Sequence, residues 1–319
     1  MPGIVQDQDR RGARPWRRLL VALLLANLLL LTAAPARGAA DEPPAPPQIF
    51  AHAAVVLSDF NQVLYAYNAH MRAPQASTTK MMTAIVAVRY GDLNLPVLVA
   101  ESDLVGESTM GLAAGETLTL HNLLYGLLLP SGNDAATAIA RSVGFRRGDT
   151  SPEQSIGHFI DLMNQTAQEY GLQDTHFITP HGLDADNHYS SAYDLALILR
   201  AALNYPTIRE IMGTRSYNAA GHDLYNGDHL FDVRDDVLGG KTGFTDAAGF
   251  CLAGAAKQGN RFAIAVVMND DGDNWISDTS NLLDYGLAAE QVTPLPAFVD
   301  PALVGTQLTQ SPELTHPHP

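Results

Sequence analysis

The alternation of apolar and polar residues predicts two β-hairpins, one near each end of a long globular segment. The first joins residues 53–57 to 63–67 through a polar turn, and the second joins 249–256 to 261–268 through a Gly-Asn turn. Between the hairpins, apolar residues recur at helical spacing. That spacing predicts helices over 78–90, 118–129, 134–143, 156–170 and 191–203, with a last amphipathic helix over 275–289.

Strands at both ends of this segment, with helices between them, predict the α+β class. The two hairpins would form one antiparallel sheet flanked by helices, and an all-helical lobe would be inserted from the middle of the chain. The last helix, 275–289, could cover one face of the sheet. We therefore expect a single domain over residues 49–290.

The ends of the chain differ from this segment. Basic residues precede an apolar run at 19–34 and small residues follow it, which predicts a signal peptide over 1–38, with a weak twin-arginine feature. An uncleaved anchor is the alternative, although the run is shorter than a typical membrane-spanning helix. Residues 39–48 form a Pro-rich linker and 291–319 a polar tail. We expect export to the periplasm or the outer face of a bacterial envelope.

Charge narrows the classes of partner. Without the leader, 13 basic and 32 acidic residues remain, a net charge of −19. Such an acidic body disfavours nucleic-acid binding, and it disfavours anionic membranes unless the leader is retained. The one cysteine, Cys251, excludes an internal disulfide. It lies in an apolar stretch, so we expect an inert, buried thiol.

The pair Ser77 and Lys80 is the first candidate for chemistry. Side chains three residues apart on a helix lie on one face, so the hydroxyl and the amine can meet. The run that follows is apolar nearly all round, and burial with the helix dipole should lower the lysine pKa. A neutral amine could then accept the serine proton. The chain holds only three lysines against 16 arginines. The alternative is that Ser77 caps the helix and Lys80 reaches solvent.

Two further motifs follow. Ser131 and Asn133 lie in a Pro- and Gly-containing turn between two predicted helices, where they could project into a cleft or serve as an ordinary helix cap. Lys241 and Thr242 have glycines on both sides, so a ligand could approach the backbone, and they suit a carboxylate. The spacing is not that of a phosphate-binding loop.

The order S-x-x-K, S-x-N, K-T-G resembles the motif set of penicillin-binding proteins and serine β-lactamases. The wider context resembles the low-molecular-weight serine D-alanyl-D-alanine carboxypeptidases, the peptidase S11-like family, over about residues 49–289. The residues that carry it lie at 171–177, 181–184, 189–192 and 241–249. The resemblance implies a β-lactamase/transpeptidase-like fold. It also implies a peptidase acting on peptidoglycan stem peptides that end in D-Ala-D-Ala and inhibited by β-lactams.

By this resemblance, three residues carry the catalysis. Ser77 would attack the penultimate carbonyl, Lys80 would remove its proton, and Ser131 would pass a proton to the departing D-alanine. Acylation divides one difficult step into two easier ones. No metal and no cofactor are implied.

The resemblance also implies the residues that bind substrate. Asn133 would hydrogen-bond a substrate amide, while Lys241 and Thr242 would hold the terminal carboxylate. Gly243 belongs to the same motif, and the backbone N–H of Phe244 would share the oxyanion with that of the nucleophile.

Several alternatives remain open. A D,D-endopeptidase would carry the same motifs. A β-lactamase would need a deacylating base, and no E-x-x-L-N segment occurs between residues 133 and 241. A non-catalytic muropeptide or β-lactam sensor would have no use for a nucleophile beside a base. A zinc peptidase would draw its ligands from the histidine clusters, although none matches H-E-x-x-H. The nearest clusters are His222-Asp223 with Asp228-His229, and His176 with His181.

Overall fold

The structure is a computed structural model that describes residues 44–59 and 61–289. The predicted signal peptide, the first half of the linker and the tail lie outside these residues. Residues 44–50 form neither helix nor strand before the first strand begins. None of the helices within the described ranges has the length and apolar character that crossing a membrane requires.

A five-stranded antiparallel sheet is the centre of the fold, and both predicted hairpins belong to it. The strands are β1 Ala53–Ser58, β2 Val63–Tyr67, β7 Val237–Thr245, β8 Gly249–Gln258 and β9 Arg261–Asp270. Their order in the sheet is β2-β1-β9-β8-β7. The pairing of β1 with β9 runs from Ala53 opposite Met268 to Ser58 opposite Ala263, so the two hairpins meet in the middle of the sheet.

Both faces of the sheet are covered by helices, which explains why its central strands are apolar on both sides. Alternate residues of β1 enter different cores: Val55 joins the larger core and Val56 the smaller one. Successive side chains of a strand point to opposite faces. The helix at Trp275–Ala289 packs on the smaller core and that at Ala192–Asn204 on the larger one. The predicted cover by the last helix is confirmed.

The predicted helices are all present, and all but the last, Trp275–Ala289, have shifted ends. The first begins as a 3₁₀ turn at Ala76–Thr79 and becomes α-helical only at Lys80. The fourth predicted helix starts at a proline, Pro152, four residues before its predicted start at residue 156. The helices are α1 Lys80–Tyr90, α2 Leu120–Leu128, α3 Asn133–Gly144, α4 Pro152–Glu169, α5 Ala192–Asn204, α6 Pro206–Met212, α7 Leu230–Val233 and α8 Trp275–Ala289.

The inserted lobe is not entirely helical, which corrects one detail of the prediction. Two small two-stranded sheets occur there, β3 Pro96–Leu98 with β4 Thr117–Thr119, and β5 Ser216–Ala219 with β6 His222–Tyr225. Strands of three or four residues are too short to produce a recognisable alternation. The side chain of Thr119 accepts a hydrogen bond from Asn122 N and caps α2, which therefore begins after β4.

Helix α1 runs through the centre of the lobe, as its all-round apolar sequence predicts. Its residues 80–87 are all buried, and it contacts α2, α3, α4 and α5. Its amino-terminal 3₁₀ turn packs against the edge strand β7. The N-terminus of the central helix is thereby held beside the sheet edge, and the three sequence motifs meet at this point.

Candidate active site

The Ser77 hydroxyl and the Lys80 amine are in direct contact: Nζ lies 2.7 Å from Oγ. The 3₁₀ turn achieves this with the three-residue spacing expected for a helix. Ala76, immediately before the serine, has φ 47°. This left-handed conformation costs a non-glycine residue about 1 kcal/mol, so the surrounding structure must hold the turn in place.

Lys80 is fully buried, and its three contacts suit a neutral amine. Besides the serine hydroxyl, Nζ donates to Asn133 Oδ1 at 2.7 Å and to the carbonyl oxygen of His181 at 2.6 Å. These two partners only accept, so they take both N–H bonds of a neutral amine and leave its lone pair for the Ser77 proton. Burial, and then the positive charge of Lys241, hold the pKa of Lys80 well below its ordinary value.

The loop that supplies the His181 carbonyl is fitted closely to the nucleophile turn. Gly182 has φ 94°, and a Cβ at this position would lie 2.0 Å from the carbonyl oxygen of Ala76. Only glycine allows both the conformation and the approach. One turn further along α1, Thr83 Oγ1 donates to the Pro180 carbonyl at 2.6 Å. The loop is thus held on the same helix as Lys80.

A buried histidine joins this loop to the turn. Ile178 N donates to His188 Nδ1 at 2.9 Å, so the ring proton is on Nε2, which donates to Thr79 Oγ1 at 2.9 Å. Burial lowers the pKa of His188 to about 4, and burial with Lys80 lowers the pKa of His181 to about 3. Both rings are therefore neutral at physiological pH. Sequence reasoning singled out neither contact.

Ser131 and Asn133 lie where α2 gives way to α3, as predicted. Ser131 has φ 64°, and its buried hydroxyl has no hydrogen-bond partner among the described residues. Asn133 is the first residue of α3, and its Nδ2 donates to the Gly106 carbonyl at 2.7 Å. Because its amide oxygen accepts from Lys80, Asn133 positions the amine. The second N–H of its Nδ2 is left for another partner. The prediction that it binds a substrate amide stays a prediction.

The K-T-G motif lies on the edge strand β7. A Cβ at Gly243 would be 2.8 Å from Ser77 N, so glycine allows the strand to lie against the nucleophile turn. Lys241 is buried, and its Nζ donates to the Thr242 carbonyl at 3.0 Å. Burial lowers the pKa of Lys241 to about 8. Phe244 is about half exposed and its ring lies 4.6 Å from that of Phe250.

An open groove of about 480 Å³ runs beside this edge of the sheet. Its walls combine apolar side chains with three carboxylates. They are Glu107, Leu183, Asp184, Phe244, Thr245 and Asp246. Thr245 donates its hydroxyl proton to Asp184 at 2.9 Å and so joins the two sides of the groove.

The histidines proposed as zinc ligands have other contacts. His222 Nε2 lies 3.0 Å from Glu116, and His229 Nδ1 lies 2.9 Å from Asp232. Within the described ranges, no group of three or more His, Cys, Asp or Glu side chains is arranged to hold a metal ion. Cys251 is buried in β8, and burial raises the pKa of its thiol to about 12, as expected for an inert cysteine.

The sequence matches one known family over most of its length. The model of peptidase S11, the D-alanyl-D-alanine carboxypeptidases, matches residues 40–272. D-alanyl-D-alanine carboxypeptidase DacF of Bacillus subtilis is 33% identical over 292 residues, which are 86% of this chain and 72% of that protein. D-alanyl-D-alanine carboxypeptidase DacD of Escherichia coli is 36% identical over 275 residues, which are 80% of this chain and 67% of that protein.

Solved structures agree with the sequence match. The Streptomyces K15 DD-transpeptidase is 29% identical with a TM-score of 0.72, and the match covers 77% of this chain and all of that one. A D-alanyl-D-alanine carboxypeptidase from Mycobacterium tuberculosis is 32% identical with a TM-score of 0.70, covering 78% and 95% of the two chains. The predicted fold class is confirmed by these neighbours.

Proposed function

The chain belongs to the D-alanyl-D-alanine carboxypeptidase family of serine peptidases, and we propose that Ser77 is the nucleophile with which it removes the terminal D-alanine from peptidoglycan stem peptides. One observation carries the assignment of residues: the buried Lys80 amine lies 2.7 Å from the Ser77 hydroxyl while its other two contacts are acceptors. The pair is therefore arranged to transfer a proton from oxygen to nitrogen.

In acylation, Ser77 Oγ attacks the carbonyl carbon of the penultimate D-alanine and its proton moves to Lys80 Nζ. The lysine becomes an ammonium, and its three N–H bonds then have three oxygen partners in place. The amide C–N bond breaks as an ester forms to Ser77, and D-alanine leaves with one added proton. The site thus holds the base before the reaction and the ammonium after it.

Ser131 is suited to carry the proton to the leaving amine. Its hydroxyl has no hydrogen-bond partner among the described residues, so both its proton and its lone pairs are free for a proton transfer. Water then attacks the ester, the ester bond to Ser77 breaks, and the proton returns to Oγ. The same lysine serves as the base in both halves of the cycle.

Substrate binding falls to the strand β7. The ammonium of Lys241 and the hydroxyl of Thr242 hold the terminal carboxylate of the peptide, and the remaining Nδ2 proton of Asn133 reaches a substrate carbonyl. The N–H groups of Ser77 and Phe244 form the oxyanion hole. The close fit of Gly243 against Ser77 N supports this, because it brings the two donors together.

β-Lactams enter the same reaction, since their strained amide acylates Ser77 and no leaving group departs. Members of this family act on the cell wall, outside the cytoplasm, and we infer that this protein does so as well. The signal peptide at residues 1–38 remains a prediction.

Mass spectrometry after exposure to benzylpenicillin tests the nucleophile. We expect one adduct, on the peptide that contains Ser77, and none in Ser77→Ala. Ser277→Ala, at an exposed serine of α8, is the matched control and should be acylated normally. An adduct that persists in Ser77→Ala would refute the assignment.

The reaction itself is tested by release of D-alanine from a pentapeptide ending in D-Ala-D-Ala. The carboxypeptidase activity predicts one D-alanine per peptide. Cleavage of cross-linked muropeptide dimers without release of terminal D-alanine would instead establish the D,D-endopeptidase alternative.

A further inference from the structure

Asp228 is a buried carboxylate that the reaction described above does not use. It precedes α7 and is only 4% exposed. Its Oδ1 accepts a hydrogen bond from Leu230 N at 3.0 Å, whereas its Oδ2 has no hydrogen-bond partner in the described part of the chain. A buried carboxylate oxygen without a partner is costly, so its position calls for a function.

Oδ2 lies against the strand that binds the substrate. A Cβ at Gly240 would be 2.5 Å from this oxygen, so the carboxylate lies directly over the backbone of β7 beside Lys241. The ammonium of Lys241 is itself buried, and among the described residues its hydrogen bond is to the carbonyl of the neighbouring Thr242. The carboxylate and the ammonium thus occupy the same water-poor region.

The other charges around these two groups are few. The negative charge of Asp228 favours the charged form of Lys241. In turn, Lys241 and His229 favour the charged form of Asp228, whereas the negative charge of Asp232 disfavours it. The positive charge of Lys241 also disfavours the charged form of Lys80. Asp228 is therefore the acidic group that acts on Lys241 from the facing segment.

We propose that Asp228 is the counter-charge that keeps Lys241 protonated and so sets the upper pH limit for binding the terminal carboxylate of the substrate. The inference rests on the proposed function, in which Lys241 holds that carboxylate. Asp228 touches neither the substrate nor the reacting atoms, so its role is that of a positioning residue acting through charge.

The titration behaviour of the two groups supports this. Burial lowers the pKa of Lys241 to about 8, and the negative charge of Asp228 opposes that fall. Burial raises the pKa of Asp228 to about 6, so its charge is present above that pH. Both groups are charged between these values, and substrate binding should be strongest there.

Asp228→Asn tests the proposal, because the amide keeps the shape and can still accept from Leu230 N. We expect the rise of KM on the alkaline side, centred near pH 8 in the wild type, to move to lower pH. For each pH unit of movement, KM at pH 9 increases about tenfold, while kcat changes less than about twofold. If KM of the folded variant rises at the same alkaline pH as KM of the wild type, the proposal is overturned.

Two control variants distinguish a failure of this inference from a failure of the proposed carboxylate site at Lys241. Asp270→Asn replaces another buried carboxylate with one unpartnered oxygen, and should leave the KM profile unchanged. Lys241→Gln should raise KM below about pH 8, where the wild-type lysine is charged, and should abolish the further rise of KM above that pH. If Lys241→Gln leaves KM unchanged, the carboxylate site itself is wrong. If Lys241→Gln raises KM but Asp228→Asn does not move the alkaline rise of KM to lower pH, only the inference about Asp228 fails.

A direct titration keeps the test independent of the variant's folding. With ¹³C-labelled lysine, the Lys241 resonance of the wild-type protein should show a small second inflection near pH 6, when Asp228 gains its proton. A Lys241 titration curve without that inflection would overturn the proposal.

Discussion

Replacing Gly243 with alanine should slow acylation while leaving the fold intact. The new Cβ would lie 2.8 Å from Ser77 N, 3.0 Å from Ala76 Cβ and 3.1 Å from Thr78 N. These atoms belong to the backbone or to a one-carbon side chain, so none can rotate away. An ordinary contact begins near 3.4 Å, so strand β7 must retreat from the turn by about 0.6 Å.

That displacement separates the two N–H groups proposed to stabilise the oxyanion. A shift of about 1 Å in a catalytic group can cost about 10² in rate, and loss of a donor costs about 10²–10³. We therefore expect Gly243→Ala to lower the acylation rate constant by about 10–100-fold. Because β7 is an edge strand, it can move outward, and the melting temperature should change little.

Acylation by a fluorescent penicillin, followed over time, measures this effect, and thermal denaturation checks the fold. Gly157→Ala is the matched control, since a Cβ there meets no atom within 4 Å and lies inside α4. Alanine at a helix interior stabilises by about 1 kcal/mol relative to glycine. If Gly243→Ala is acylated at the wild-type rate, the proposed contact between β7 and the nucleophile turn is refuted.

Two further predictions concern Asn133 in the site and Asp270 at the end of β9. Asn133→Ala removes the acceptor that lies 2.7 Å from Lys80 Nζ, so the rate of acylation by the same penicillin should fall about 10–100-fold. An unchanged rate would show that Lys80 does not need the hydrogen bond to Asn133. Burial, and then Asp278, raise the pKa of Asp270 to about 7, so the folded state binds more protons than the unfolded state between about pH 4 and 7 and loses stability as the pH rises through that range. Asp270→Asn should accordingly raise the melting temperature more at pH 8 than at pH 5, and an equal change at both would contradict the titration of Asp270.

The large elements of the fold were predictable because their apolar segments are long. Strands β1, β8 and β9 contain apolar runs of five or more residues next to polar turns, and α1 is apolar on every side. The two small sheets were not predictable, since three or four residues carry too little pattern. The 3₁₀ turn at Ala76–Thr79 also escaped, because its left-handed start at an alanine is imposed by the surrounding structure.

The site was predictable where chemistry follows local spacing. Ser77 and Lys80 meet as their separation of three residues implies. The contacts from distant segments carry no local signal: the His181 carbonyl reaches Lys80 across 101 residues, and Asp228 reaches β7 from another loop. The lowered pKa of Lys80 was expected from burial and the helix dipole, whereas the contribution of Lys241 required the fold.

The central claim is that Lys80 is a neutral amine at physiological pH, and a lysine titration tests it most directly. The chain has three lysines, so ¹³C-labelled side chains would give three resonances, assigned by substituting each lysine in turn. We predict that the Lys80 resonance has the chemical shift of a neutral amine at pH 7. A Lys80 resonance that remains that of an ammonium up to pH 10 would contradict the account.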